Sequence, residues 1–190
     1  SIQSVNEQFN DDISIQLQQF SLDEISRIID KENTLVGGML SGDILLKKTA
    51  DSYGIIADAN IDKLVLMDVP IGNLNITAKN PVANRFDVQG SIEGSENNLT
   101  LAGHYTMEDD NQSIDLKANI QSLSMKTLEA FSAGQLAASK GMLAGNFAIS
   151  GKLNKPNIAG ELTFQNVETT PAFLNNCIRL TNETIRLDNK

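Results

Sequence analysis

A mostly β chain is predicted: one curled antiparallel sheet, a half-open roll of repeated strands each apolar on one face, carrying two short helices. Three observations support this. Apolar and polar residues alternate along nearly the whole length, the mark of strands with one buried and one wetted face. Glycine recurs at mid-strand in the frame apolar-x-Gly-x-apolar. Two segments abandon the two-residue period for helical spacing.

The first alternating set is Ile13, Ile15 and Leu17 against Ser14, Gln16 and Gln18. Ser21-Leu22-Asp23-Glu24 then reads as a capping box, with Ser21 at the N-cap and Glu24 three residues on. The helix it opens runs through Ile25, Ile28 and Ile29. Strands come next on Ile55, Ala57, Ala59 and Ile61, then on Phe86, Val88, Gly90 and Ile92. Further sets are Leu99, Leu101, Gly103 and Tyr105, and Ile114, Leu116, Ala118 and Ile120, with Asp109-Asp110-Asn111 as the hairpin turn between them. Ser124 opens a second helical segment with Met125, Leu128 and Phe131, read as continuing to Ala137 and Ala138. Leu143, Gly145, Phe147 and Ile149, then Ile158, Gly160, Leu162 and Phe164, complete the series.

Strand, capped helix, glycine strand and strand occur twice, at an offset of 103 residues. Ser124 matches Ser21, Gly141-Met142-Leu143 matches Gly38-Met39-Leu40, and Gly145 matches Gly42. The chain is therefore divided into a first repeat unit, 1–112, and a truncated second one, 113–190, both in one continuous sheet. Repetition of this kind favours an elongated array.

The 190 residues hold 15 Lys and Arg against 24 Asp and Glu, a net charge of −9, which excludes the basic footprint of a nucleic-acid binder. One Cys and one His leave no disulfide framework and no Cys/His metal cluster. No run approaches the ~18 apolar residues of a membrane helix. His104 is out of phase with Leu99 and Leu101, so it faces water without a nucleophile beside it. Cys177 reads as a half-buried structural thiol. Asp58-Ala59-Asn60-Ile61-Asp62 imitates the start of a calcium loop, but Lys63 and Val69 stand where the loop needs Gly and Glu. No catalytic residue, metal ligand or cofactor motif emerges, and a non-enzymatic role is expected.

Five of the 13 glycines take the mid-strand slot: Gly42, Gly90, Gly103, Gly145 and Gly160. Glycine there weakens a strand and marks a bend or the close approach of another group. Aligned in a stripe, they let a sheet curl without Cβ collisions on the inside. The inner wall is then lined in the first part by Leu40, Ile44, Val88, Ile92 and Leu101. In the second part it is lined by Leu143, Phe147, Ile149, Ile158, Leu162 and Phe164. Only 5% of residues are aromatic and none is Trp, unlike a bulky two-sheet core.

The run Gly141-Met142-Leu143-Ala144-Gly145-Asn146-Phe147-Ala148-Ile149-Ser150-Gly151-Lys152-Leu153-Asn154-Lys155-Pro156-Asn157-Ile158-Ala159-Gly160-Glu161-Leu162 resembles the repeated segment of the TamB family (translocation and assembly module), within the AsmA-like superfamily. The tail through Val167, Pro171, Ile185 and Leu187 is similar to the stretch after that segment in the family, whereas the first half has Tyr53 where Pro156 would align. The resemblance implies a β-taco, an apolar trough in a long periplasmic protein of Gram-negative envelopes. That protein is anchored in the inner membrane by an N-terminal helix that this stretch lacks. It implies outer-membrane protein translocation and assembly with a TamA/BamA-type barrel partner, and phospholipid transport between membranes. The cargo is phospholipid or unfolded outer-membrane protein; the family supplies no catalytic residues and no cofactor. The chain is read as a piece of such a protein. The alternative is a structural β-repeat spacer, or an adhesin-like module, with a fully packed core.

Overall fold

The computed structural model describes residues 2–4, 12–29, 35–48, 53–82, 84–107 and 112–188. Its elements are β1 (Ile2–Ser4), β2 (Ile13–Ser21), α1 (Leu22–Ile29), β3 (Val36–Lys48), β4 (Tyr53–Leu66), β5 (Val69–Val82) and β6 (Arg85–Gly94). They continue as β7 (Asn97–Thr106), β8 (Ser113–Ser124), α2 (Met125–Phe131), β9 (Leu136–Lys152), β10 (Lys155–Pro171) and β11 (Ile178–Leu187). The strands make one open sheet in sequence order, every pairing antiparallel and no crossover. Where a short turn joins them, consecutive strands have no other choice; β2–β3 and β8–β9 pair in the same sense although α1 and α2 lie between them. Met67-Asp68 joins β4 to β5 and Ser95-Glu96 joins β6 to β7, all four residues at positive φ. Positive φ at both central residues gives a hairpin turn the hand that fits strand twist. The expected turn at Asp109–Asn111 lies outside the described residues.

Register decides which side chains share a face. One rung crosses ten strands: Leu17, Gly42, Ala59, Ile76, Gly90, Leu101, Ala118, Phe147, Gly160 and Leu187, from β2 to β11. The rung on one side reads Ile15, Ile44, Ala57, Ala78, Val88, Gly103, Leu116, Ile149 and Ile158. On the other side it reads Phe20, Leu40, Ile61, Leu74, Ile92, Leu99, Ile120, Gly145, Leu162 and Ile185. One face of the sheet is thus apolar without interruption.

The pairing itself repeats at the 103-residue offset. Leu17–Gly42–Ala59 recurs as Ile120–Gly145–Leu162, and Phe20–Leu40–Ile61 as Leu123–Leu143–Phe164. Ser21–Met39–Asp62 recurs as Ser124–Met142–Gln165. The irregularities recur too: Lys63 and Asn166 have φ of 51° and 48°, and Gly38 and Gly141 have φ of 123° and 97°. Each bulge turns the next residue, Leu64 or Val167, back to the apolar side, where they are 6% and 1% exposed.

α1 begins directly after Ser21, as the capping pattern expects. α2 begins after Ser124, whose hydroxyl makes no capping bond, and it ends at Phe131. Ala137 and Ala138 belong to β9, so the expected helical continuation is corrected. The turn at Ala133-Gly134, both at positive φ, stops the helix, and the Ser132 hydroxyl bonds back to the Glu129 carbonyl at 2.7 Å. α2 packs on β9, β8 and β5. In a flat sheet β5 and β9 would stand about 19 Å apart, and a seven-residue helix is only about 10 Å long. The sheet therefore curls toward its apolar face around α2. Two core clusters sit under the helix, one of Ile120, Leu123, Met125, Leu143 and Val167, the other of Leu64, Ile71, Ile92 and Ala130.

Candidate functional site: an apolar sheet face

All eleven residues expected to line the inner wall lie on this one face. They do not lie in one environment. Leu143 and Ile92, 5% and 7% exposed, belong to the two clusters at the α2 end. Phe147, Leu162 and Phe164 pack against the first cluster and keep part of their surface open. Leu40, Ile44, Val88, Leu101 and Ile149 are half-buried, and Ile158 is exposed. Ile76 and Ile13 share this open region, 40% and 39% exposed, and were not among the expected wall residues. The alternation of β5 is the signal that could have placed Ile76, since Leu74, Ile76 and Ala78 step along one face.

The five glycines also share the face, but not one rung. Gly42, Gly90 and Gly160 lie on the central rung with Ala59 and Ala118; Gly103 and Gly145 fall on the rungs to either side. Gly145 is off the central rung because the second unit is displaced along the strands, which sets Phe147, not Gly145, on the rung of Gly42. At four of the five a methyl group would overlap a carbonyl oxygen of the next strand. These clashes are Gly42 onto Asp58, Gly103 onto Asp115, Gly145 onto Glu161 and Gly160 onto Asn146. Gly90 differs: a Cβ there would meet Asn75 O at 3.4 Å, an ordinary contact.

A buried side chain missed in the sequence holds α2 in place. Asn97, 3% exposed at the start of β7, accepts a bond from Ser124 N at 2.9 Å. Its amide donates to Ile71 O at 2.8 Å and to Thr127 Oγ1 at 2.9 Å. One residue thus ties β5, β7, the end of β8 and α2 together, with each of its polar atoms satisfied. Behind the helix, Glu129 accepts from Ser139 N at 2.6 Å. In the first unit Ser26, at the position equivalent to Glu129, accepts from Leu35 N at 2.7 Å.

The opposite face is polar. A shallow depression of about 640 Å³ spans β7 to β10, lined in part by Thr100, Lys117, Asn119, Asn146 and Ala148. A second, of about 340 Å³, lies by Asn75, Thr77, Gln89, Ser91 and Thr100. His104 is on this face, opposite Asp87 on one side and Asp115 on the other. Glu168 binds Lys140 Nζ at 3.0 Å and Arg179 Nε at 3.3 Å. The hydrogen bond from Lys140 and the two positive charges hold its carboxyl below the usual range, against a smaller opposing effect of desolvation. Cys177 is exposed, correcting the half-buried expectation: it ends the loop before β11 instead of entering a strand face. Among the described residues no three His, Cys, Asp or Glu groups converge as metal ligands, and no helix is long and apolar enough to cross a membrane.

No protein family, curated protein or solved structure matches this chain.

Proposed function

We propose that this chain is a segment of a TamB-like envelope protein whose apolar face shelters acyl chains or unfolded outer-membrane protein strands between two membranes. In this reading it works in the periplasm, without cofactor or catalysis. The longer protein is held in the inner membrane and meets a TamA/BamA-type barrel at the outer one. One observation carries the reading: an unbroken apolar face across ten strands, covered at one margin by α2, with large aliphatic residues exposed beyond it. Ile76, Ile158 and Ile13 are exposed there, and solvent contact with contiguous apolar surface is the ordinary mark of an interaction site.

The alternative, a spacer with a packed core, is favoured by one specific feature, the filled clusters beneath α2. Photo-crosslinking separates the two. A photoreactive residue at Val88 or Ile149 is expected to capture a phospholipid acyl chain, and one at Ile92, under α2, or at Asn119, on the polar face, is not. Equal capture at all four positions, or none at Val88 and Ile149, overturns the trough and leaves the spacer.

A further inference from the structure

The polar face carries a second ordered feature. Reading partners across the sheet, Ser41 stands opposite Asn60, Asn60 opposite Asn75, Asn75 opposite Ser91, and Ser91 opposite Thr100. Thr100 stands opposite Asn119, and Asn119 opposite Asn146. Seven consecutive strands thus place an uncharged amide or hydroxyl on one rung, in a chain that is 21% charged. Charge returns only beyond Asn146, at Glu161 and Arg186, which pair with each other at 2.9 Å.

The two halves of this rung behave differently. In the first half the side chains satisfy one another: Asn60 donates to Asn75 at 2.8 Å, and Asn75 donates to Ser91 at 3.4 Å. In the second half Thr100, Asn119 and Asn146 have no side-chain partner among the described residues. Those same three line the 640 Å³ depression, where the neighbouring row is Ala102, Lys117, Ala148 and Ala159, short but for the lysine.

We propose that this half-rung binds an extended, uncharged glycan laid across the strands. Each Asn offers two donors and an acceptor, and each Thr one donor and an acceptor. Sugar hydroxyls likewise donate and accept at once, so neighbouring groups of the two arrays match along the rung, with Lys117 at its side as a further donor. Adjacent strands are about 4.8 Å apart, close to the advance per ring of a stretched β-linked polysaccharide. An extended peptide fits less well, because its backbone groups are met by a strand edge and not by a row of side chains. Phe147, the aromatic residue in the lining, belongs to a rung of the apolar face and packs against the first core cluster, so binding is weak per sugar and gains from repetition along a polymer.

The test is a titration of the isotope-labelled chain with a β-linked N-acetylglucosamine tetrasaccharide, read by the side-chain amide signals of Asn119 and Asn146. An α-linked glucose tetrasaccharide, which coils, is the control. Saturable shifts at those two amides are expected, with tighter binding of the β-linked probe. Thr100→Val combined with Asn146→Leu is expected to weaken binding roughly tenfold, the value of one or two hydrogen bonds, while the melting temperature stays unchanged. If that pair fails to fold, Asn146→Asp alone removes both donors at constant shape and is expected to weaken binding as well. Absence of saturable shifts, equal affinity for the two probes, or undiminished binding in the folded variants each overturns the proposal. The readout lies on the face opposite Val88 and Ile149, so its failure is distinguishable from failure of the trough.

Discussion

Gly103→Ala and Gly90→Ala add the same methyl group to the same face of the sheet, and the structure assigns them opposite signs. At Gly90 the new Cβ has ordinary contacts, Asn75 O at 3.4 Å and Ile76 Cγ1 at 3.9 Å. The remaining effect is the narrower unfolded ensemble, a gain of about 0.4–1 kcal/mol. At Gly103 the Cβ overlaps the Asp115 carbonyl and comes within 2.7 Å of Leu116 Cα. Both are backbone atoms of β8, held between β7 and β9, and cannot swing aside. Overpacking of this kind costs about 1–3 kcal/mol, leaving a net loss of about 1–2 kcal/mol after the same entropic gain. Unfolding entropy of ~2.1 cal/mol/K per residue gives this 190-residue chain about 0.4 kcal/mol/K, so 1 kcal/mol moves Tm by about 2.5 °C. Thermal melts followed by circular dichroism are expected to put Gly90→Ala about 1–2.5 °C above the parent and Gly103→Ala about 2–5 °C below it. Equal melting points, or Gly103→Ala the more stable, would show that the close approach of β8 is not what requires glycine there.

Asn97→Ala strands Ile71 O, Thr127 Oγ1 and Ser124 N in a buried place; a loss of about 2–4 kcal/mol in urea unfolding is expected, built from two or three groups at ~1 kcal/mol or more each. Ile71→Ala, at a fully buried position, is expected to cost about 2–5 kcal/mol in the same assay. Glu168 is ionised more readily in the folded chain than in the unfolded one, so its contribution is full above the unfolded carboxylate pKa. That contribution disappears as pH falls through the lowered folded value. Glu168→Gln is therefore expected to flatten the acid limb of stability against pH and to leave the alkaline limb untouched; an unchanged acid limb would contradict the Lys140 and Arg179 contacts as its cause.

Alternation was enough to reveal most of the strands, their two faces and their antiparallel sense, because a sheet wet on one side is an antiparallel one; β5 and the order of pairing were not read from it. Other features were not legible for identifiable reasons. Met67-Asp68 and Ser95-Glu96 turn without the Asn-Gly or Asp-Gly signal. Ala137 and Ala138 suit a helix by propensity, yet in β9 Ala137 pairs opposite Thr170 while Ala138, at φ 53°, takes the irregular position beside it, and a ladder outweighs intrinsic preference. Asn97 looked like one more polar strand residue, since beyond its local bond to Ser95 O nothing announces the partners at positions 71, 124 and 127. On the apolar face each wall residue could be assigned a side from its own strand. Whether it was open or covered depended on α2, and α2 reaches residues over 50 positions away, such as Leu64 and Ile71 through Ala130.

The offset between Gly42 and Gly145 comes from the repeat. Between β2 and β8 the sheet advances six strands, about 29 Å, while equivalent residues step sideways by two positions, about 7 Å along the strand. Gly145 thereby lands one rung from Gly42, and Leu143, equivalent to Leu40, one rung further toward the margin that α2 covers. Equivalent points then drift by roughly one part in four, a tilt of about 14° between the axis of the roll and the rungs. A straight stripe of glycine would bend every strand at the same height and crease the sheet along one line. Here Gly42, Gly90 and Gly160 share one height while Gly103 and Gly145 sit one rung to either side, so the bend is spread over three rungs and no single crease forms. The helices obey the same slant because each begins at the same point of its unit, Leu22 after Ser21 and Met125 after Ser124. The open apolar lane beyond them therefore runs obliquely across the strands, and its direction is set by the two-residue displacement between units.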